Sequence, residues 1–192
     1  MVSKPRKPMT PAGFDTLSPV SPERAVLEDL FTATYEELRR LASSIRRTDP
    51  SATLSPTALV NEAWLKLAGS PPLVSVSRVH FKRIAARAMR QVLIEAARRR
   101  NAQKRGGGLT PVTFDEGLDH QASGADELLT LDAALEALAR IQPRQALMVE
   151  SRFFGGLDIS ETAELLGVSE ATILRDWRAA KAWLAHELRH DH

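Results

Sequence analysis

The 192-residue sequence predicts an all-α protein built from two small helical domains that a flexible linker joins. Aromatic residues make up only 5% of the chain, and Ala and Leu are its commonest apolar residues, a composition that favours helices over strands. Apolar residues recur every three or four positions in several segments, and turns containing proline or glycine separate those segments. The expected boundaries are a disordered leader over 1–20, a first domain over 21–105, a linker over 106–126 and a second domain over 127–189.

The first helix is expected to begin at Ser21-Pro22-Glu23, after a leader that holds several prolines and shows no helical periodicity. Serine is a good N-cap, proline fits the first helical turn, and an acidic side chain there interacts favourably with the helix dipole. The apolar stripe that follows ends at Asp49-Pro50 and consists of Leu27, Leu30, Phe31, Leu38, Leu41, Ala42 and Ile45.

Ser55-Pro56 repeats this start signal, and a second helix is expected to continue to Gly69. Its apolar stripe consists of Leu59, Val60, Ala63, Trp64 and Leu67. A third helix is expected from about Val79 to Arg100 or beyond, with Phe81, Ile84, Ala85, Ala88, Val92 and Ala96 facing inward. The glycine triplet over 106–108 should end it.

Charge is strongly segregated, although the formal net charge is only +2. Residues 78–106 contain ten basic residues and one acid, Glu95, whereas residues 107–143 contain seven acids and one base, Arg140. A basic block on a helix is typical of a protein that binds polyanions, because each neutralised phosphate releases counterions. Two alternatives to polyanion binding stay open. The basic block could be only a solvated face of the helix, or the acidic stretch that follows could screen it.

The stretch from 107 to about 125 is rich in Gly and Asp and is interpreted as an interdomain linker. A fourth helix is expected from Leu128 to Ile141. Gln142-Pro143 should open a fifth, which Gly155-Gly156 should close.

The segment after Gly156 predicts a helix-turn-helix. Asp158 and Glu161 have the spacing of a capping box at the start of a short helix that ends at Leu166. Gly167 can adopt the left-handed conformation of a tight turn, and Ser169 can cap the next helix. The small Ala163 allows the two helices to cross closely, and the inner face of the second helix would be Ile173, Trp177, Ala180 and Leu184. An ordinary helical hairpin is the alternative.

A helix-turn-helix places the exposed start of its second helix in the major groove of DNA. Arginine suits guanine there, and an acidic side chain can accept a hydrogen bond from cytosine. The predicted DNA-contacting residues of this unit, over 158–181, are Ser169, Glu170, Thr172, Leu174, Arg175, Arg178 and Lys181.

Several function classes are disfavoured. The absence of cysteine excludes disulfide scaffolds, thiolate metal sites and cysteine nucleophiles. Hydrophobic runs are too short for a membrane span or a signal peptide, so a cytoplasmic protein without a membrane partner is expected. No phosphate loop or nucleophile elbow is present, so no enzymatic activity and no cofactor are expected. His186, His190 and His192 are better explained as a solvated C-terminus than as a metal site.

Several ordered segments resemble the extracytoplasmic-function (ECF) sigma factors of bacterial RNA polymerase, in particular an ECF-like subfamily. Residues 59–67 (LVNEAWLKL) look like the polymerase-binding helix of region two, and residues 87–95 (RAMRQVLIE) look like its promoter-melting helix. Residues 155–169 with 171–173 are similar to the helix-turn-helix of region four. Residues 175–184 and 104–108 look like segments that recur in the subfamily. Glu95-Ala96 stands where the family commonly has Asp-His, and Phe81 is the one aromatic residue of the basic helix.

The resemblance implies a sigma factor that binds the polymerase core, reads the −35 element with its second domain and opens the −10 element with its first. Residues implied at the −10 element are Arg83, Arg87, Arg90, Gln91, Arg98 and Arg99, and the loop 69–79 would hold a flipped base. Residues implied at the polymerase are Leu59, Asn61, Glu62, Ala63, Leu65 and Lys66.

The implied partners are the clamp helices of the largest polymerase subunit, the polymerase flap and promoter DNA. The resemblance also allows an anti-sigma factor or another regulator as a partner. A plain helix-turn-helix regulator that acts without polymerase is the alternative, but it leaves the basic helix and the apolar stripe over 59–67 unexplained.

Overall fold

The computed structural model describes residues 22–48, 54–69, 77–106 and 124–190. In these ranges it has seven helices and no strand, which confirms the predicted all-α class. The helices are α1 (Pro22–Thr48), α2 (Pro56–Ala68), α3 (Arg78–Gly106), α4 (Gly124–Ile141), α5 (Pro143–Gly155), α6 (Ile159–Leu166) and α7 (Glu170–His190). The expected leader, the loop over 70–76 and residues 107–123 of the expected linker lie outside the described ranges, so their roles stay predictions.

Most helix ends fall where the local signals predict them. Ser55 caps α2, since its side chain accepts a hydrogen bond from the Ala58 amide at 3.1 Å. Gly156 ends α5 with a left-handed φ of 65°. α3 ends at Gly106, as predicted, whereas α4 begins at Gly124, four residues before the expected Leu128.

The first three helices share an apolar core. α1 packs against α2 and α3, and α2 packs against α3. Phe31 of α1 stacks on Trp64 of α2 with 4.5 Å between ring centroids. Phe81 and Met89 of α3 are completely buried, so the inner face of the basic helix is part of this core.

The last four helices pack around α5, which contacts α4, α6 and α7. Phe154 of α5 and Ile173 of α7 are among the most buried side chains of this group. An ion pair joins α5 to α7, because the Arg144 guanidinium lies 2.7 Å from the buried carboxylate of Asp176. Arg152 of α5 also lies over the Trp177 ring, 4.3 Å from its centroid, which adds a cation–π contact.

The two groups of helices are in direct contact. α3 packs against α4, α5 and α6, and α1 also contacts α5, so the buried side chains form one continuous core. α3 therefore has neighbours on two sides, α1 and α2 on one and the helices of the second group on the other.

Candidate DNA and polymerase interfaces

The C-terminal unit has the geometry of a helix-turn-helix. The Glu161 amide donates to Asp158 Oδ1 at 2.8 Å, and the Asp158 amide donates to Glu161 Oε2 at 3.0 Å, which confirms the capping box. Gly167 adopts a left-handed φ of 63° between α6 and α7, as predicted. Ser169 accepts a hydrogen bond from the Thr172 amide at 3.3 Å and so caps α7.

The predicted inner face of α7 is confirmed in outline. Ile173 and Ala180 have no exposed surface, Leu184 is buried and Trp177 is partly buried. Ala163 of α6 is buried as well, where the two helices cross. Because this side of α7 packs against the core, the opposite side of the helix is exposed to solvent.

Every residue predicted to contact −35 DNA lies at the surface of α7 or at its cap. Thr172 is partly exposed, and the others are exposed: Ser169, Glu170, Leu174, Arg175, Arg178 and Lys181. Arg175 is strongly exposed, with 72% of its side chain accessible to solvent. An exposed leucine among charged residues suits contact with a thymine methyl group.

The residues predicted at the −10 element do not share one environment. Arg87, Gln91, Arg98 and Arg99 are exposed on α3, and Arg83 is partly exposed. Arg90 differs, because only 15% of its side chain is exposed and two carboxylates of the second group bind it. Hence four of these side chains are accessible to a phosphate backbone in this conformation and Arg90 is not.

Two adjacent residues of the basic helix, Phe81 and Lys82, are both buried. Lys82 is one of the ten basic residues of this segment, but it is only 4% exposed because it is paired with Glu37 of α1 and Glu161 of α6, so it is not part of an outward basic face. Phe81, the one aromatic residue of this helix, has no exposed surface, which confirms its predicted inward position and leaves no free ring face on which a base could stack.

The α2 residues implied at the polymerase divide into a buried and an exposed set. Leu59 and Ala63 are each 3% exposed and belong to the core, so their side chains support the helix from beneath. Asn61 and Glu62 are exposed, and Leu65 is 63% exposed, the highest value among the exposed large apolar residues that the structure describes. Lys66 lies beside them and donates to Glu95 at 2.8 Å. The apolar surface of α2 is thus centred on Leu65, since Trp64 packs on Phe31.

Sequence reasoning missed the ion pairs that join α3 to the second group. The Arg90 guanidinium binds Asp132 at 2.7 Å and Glu150 at 2.6 Å, and Lys82 binds Glu161 at 2.7 Å. The segregation of basic and acidic residues along the chain could have indicated these ion pairs, because an acidic segment can fold back and screen a basic one.

Burial alone would lower the pKa of Arg90. Hydrogen bonds to Glu150 and Asp132, together with the charges of both, outweigh burial and raise that pKa above its ordinary value. Arg90 therefore carries its positive charge throughout the physiological pH range.

Within the described ranges, no cluster of three His, Cys, Asp or Glu side chains has an arrangement that could hold a metal ion. The structure describes neither the side chain of His190 nor any part of His192. Among the helices described, none is both long and apolar enough to cross a bilayer.

Comparison with protein families matches residues 21–190 to the ECF sigma factor family. The chain belongs to this family. No curated protein and no solved structure matches it. Membership gives this sigma factor a DNA-binding role in transcription initiation, and the family is not enzymatic. ECF sigma factors in general bind RNA polymerase core, promoter DNA and anti-sigma factors.

Proposed function

We propose that this sigma factor binds RNA polymerase core through the exposed face of α2 and directs promoter-specific initiation. In this proposal α7 reads the −35 element and α3 contacts the −10 element. The proposal rests mainly on the helix-turn-helix geometry of α6 and α7. This geometry occurs in a chain whose residues 21–190 match the ECF sigma factor family.

The α2 face supports core binding by its composition. Leu65 supplies an exposed apolar centre, and Asn61, Glu62 and Lys66 surround it with polar groups. A small apolar centre with a charged rim is typical of specific, reversible interfaces. We assign this face to the clamp helices of the largest polymerase subunit, and we expect the second group of helices to meet the flap.

The α7 surface supports duplex recognition. Its exposed N-terminal residues are held by the Ser169 cap and by the buried inner face of the helix, so their positions are fixed relative to α6. Arg175 and Arg178 are the side chains best suited to guanine or phosphate, and Glu170 can accept from cytosine. Lys181, farther along the helix, would contact the DNA backbone.

The basic helix supports −10 contact through charge. Arg87, Arg98 and Arg99 are exposed on α3, and each can neutralise one phosphate. We further propose, as the resemblance implies, that the loop 69–79 holds a flipped base; residues 70–76 of this loop lie outside the described ranges.

One experiment tests the proposal as a whole. The purified chain is mixed with polymerase core and with a supercoiled genomic library, and new transcripts are mapped. We expect the chain to co-elute with core and to start transcription at a limited set of sites with related −35 and −10 sequences. A chain that binds duplex DNA but neither co-elutes with core nor starts transcription would be a plain helix-turn-helix regulator.

A further inference from the structure

The basic helix α3 contains two ring side chains, and they are adjacent in its first turn. Phe81 has no exposed surface and belongs to the core. His80, in contrast, is exposed. Proteins commonly hold an unstacked base against an aromatic or imidazole ring. His80 is therefore the ring of α3 that a base could reach.

His80 lies on the side of α3 that carries most of the residues predicted at the −10 element. The residues that follow it at steps of three, four or seven are Arg83, Arg87, Gln91 and Arg98. Such steps keep side chains on one face of a helix, and all four are at least partly exposed. An exposed ring followed by cations is typical of single-strand binding sites, where bases stack on rings and phosphates meet basic side chains.

Ser77 fixes both the backbone and the ring of His80. Its hydroxyl oxygen accepts a hydrogen bond from the His80 amide at 3.3 Å and lies 3.0 Å from His80 Nδ1. The first contact is the N-cap bond of α3. Because the oxygen accepts from the amide, its hydroxyl hydrogen can be donated to Nδ1. The proton of the neutral ring is then on Nε2, which can donate to an acceptor on a base edge.

The first turn of α3 is anchored to α1 on either side of His80. Arg78 and the buried Lys82 both form ion pairs with Glu37 of α1, and Lys82 Nζ lies 3.5 Å from Glu37 Oε2. The residues two positions before and two positions after His80 are thus held by the same carboxylate. A ring on an anchored turn loses little conformational freedom on binding, so it is preorganised for a ligand.

We propose that the His80 ring stacks on an unpaired base of the opened −10 segment. This inference rests on the proposed function, because it assumes that α3 contacts the −10 element. His80 directly follows the loop 69–79 in the sequence, so the stacked base would neighbour the flipped one. In paired DNA the faces of the bases are covered by their neighbours, so the contact forms only after the strands open. A ring that meets a base neutralises no phosphate, so its contribution to affinity should not depend on salt.

The test uses the full chain assembled with polymerase core and a promoter taken from the mapped transcripts. Mismatches hold the −10 segment of this template open, and a duplex that carries the −35 element alone serves for comparison. We expect His80→Ala to bind the open template roughly ten-fold more weakly than wild type, the loss expected for one stacked base. The salt slope and the affinity for the −35 duplex should stay at their wild-type values.

His80→Phe is the second variant, because it keeps a ring and removes both ring nitrogens. It should retain most of the affinity for the open template. His186→Ala on α7 is the matched control, since it removes another exposed histidine and should bind both templates as wild type does. His80 is exposed, so both of its variants should fold, and a circular-dichroism melt of each chain checks this.

A fluorescent base gives a readout that a general loss of structure would not produce. 2-Aminopurine, which stacking quenches, replaces one base of the open −10 segment at a time. We expect one position at which the probe is quenched with wild type and with His80→Phe but bright with His80→Ala.

Three results would overturn the stacking contact. They are wild-type binding of the open template by His80→Ala, equal losses in His80→Ala and His80→Phe, and an equal loss on the −35 duplex. A salt slope lowered by about one in His80→Ala would also contradict it, because His80 would then contact a phosphate. A wild-type chain that never assembles with core would instead contradict the proposed function, and this inference with it.

Discussion

Glu62 lies on the exposed side of α2, one turn from the exposed Leu65, and contributes charge to the proposed polymerase-binding face. Glu62→Lys reverses this charge without disturbing the core, so we expect the free energy of unfolding to change by no more than about 0.5 kcal/mol. Core binding should fall sharply, because like-charge contacts at an interface rim oppose association. A pull-down of core beside a circular-dichroism melt of the same sample measures both.

Asp29→Lys is the control for this variant, because Asp29 is also an exposed acid in the middle of a helix, on α1. It should retain core binding. Equal binding by both variants would show that α2 does not form the docking surface.

Arg175 shows what an exposed side chain can contribute to −35 recognition. Arg175→Ala should leave the melting temperature unchanged, because 72% of the side chain is exposed. If Arg175 contacts a guanine, the variant should lose about 1–3 kcal/mol of affinity for duplex −35 DNA and accept other bases at that position. Arg189→Ala, near the far end of the same helix, should bind as wild type does. Equal losses in both variants would indicate a general effect of charge.

Among the elements, α6 depends on its N-terminal cap. Asp158→Ala removes the acceptor of the Glu161 amide and should lower the free energy of unfolding by about 1 kcal/mol, since Asp158 is itself exposed. Urea unfolding of the variant measures this loss. Asp158→Ser retains a capping oxygen and should recover most of the stability. Equal destabilisation by alanine and serine would contradict a capping role.

The basic helix α3 should reveal its phosphate contacts through salt dependence. In the complex with core, Arg87→Ala and Arg99→Ala should each lower the salt slope of promoter binding by about one, because each removes one phosphate contact. Both side chains are exposed on α3. Arg140→Ala on α4 removes the same charge elsewhere and should leave the slope unchanged. Unchanged slopes in both α3 variants would mean that the basic block is only a solvated face.

At the scale of the whole molecule, the direct contact of the two groups of helices makes a prediction about cleavage. The sequence predicts a linker over 106–126 that contains Glu116, so a glutamate-specific protease should cut there before it cuts within the helices. The two halves should nevertheless co-elute under native conditions, because α3 packs against α4, α5 and α6. Gel filtration beside denaturing electrophoresis detects both events. First cleavage inside α3, or immediate separation of the halves, would contradict this arrangement.

The sequence by itself determined the helices, most of their ends, the helix-turn-helix and the family, because the signals for these features act over short distances. Ser55 and Asp158 cap the helices that follow them, and Gly156 and Gly167 adopt the left-handed conformations that end α5 and α6. Each signal needs only a few neighbouring residues. The seven helices of the described residues could for that reason be expected one by one.

Only the tertiary structure decided which charged residues are available to a partner. Lys82 and Glu161 are 79 positions apart in the sequence, and Arg90 and Asp132 are 42 apart, so no local pattern could pair them. Burial divided the implied polymerase residues in the same way, since Ala63 lies in the core whereas Leu65 is exposed. Periodicity shows that a helix has an apolar face, but the exposure of any one side chain depends on the helices that pack against it.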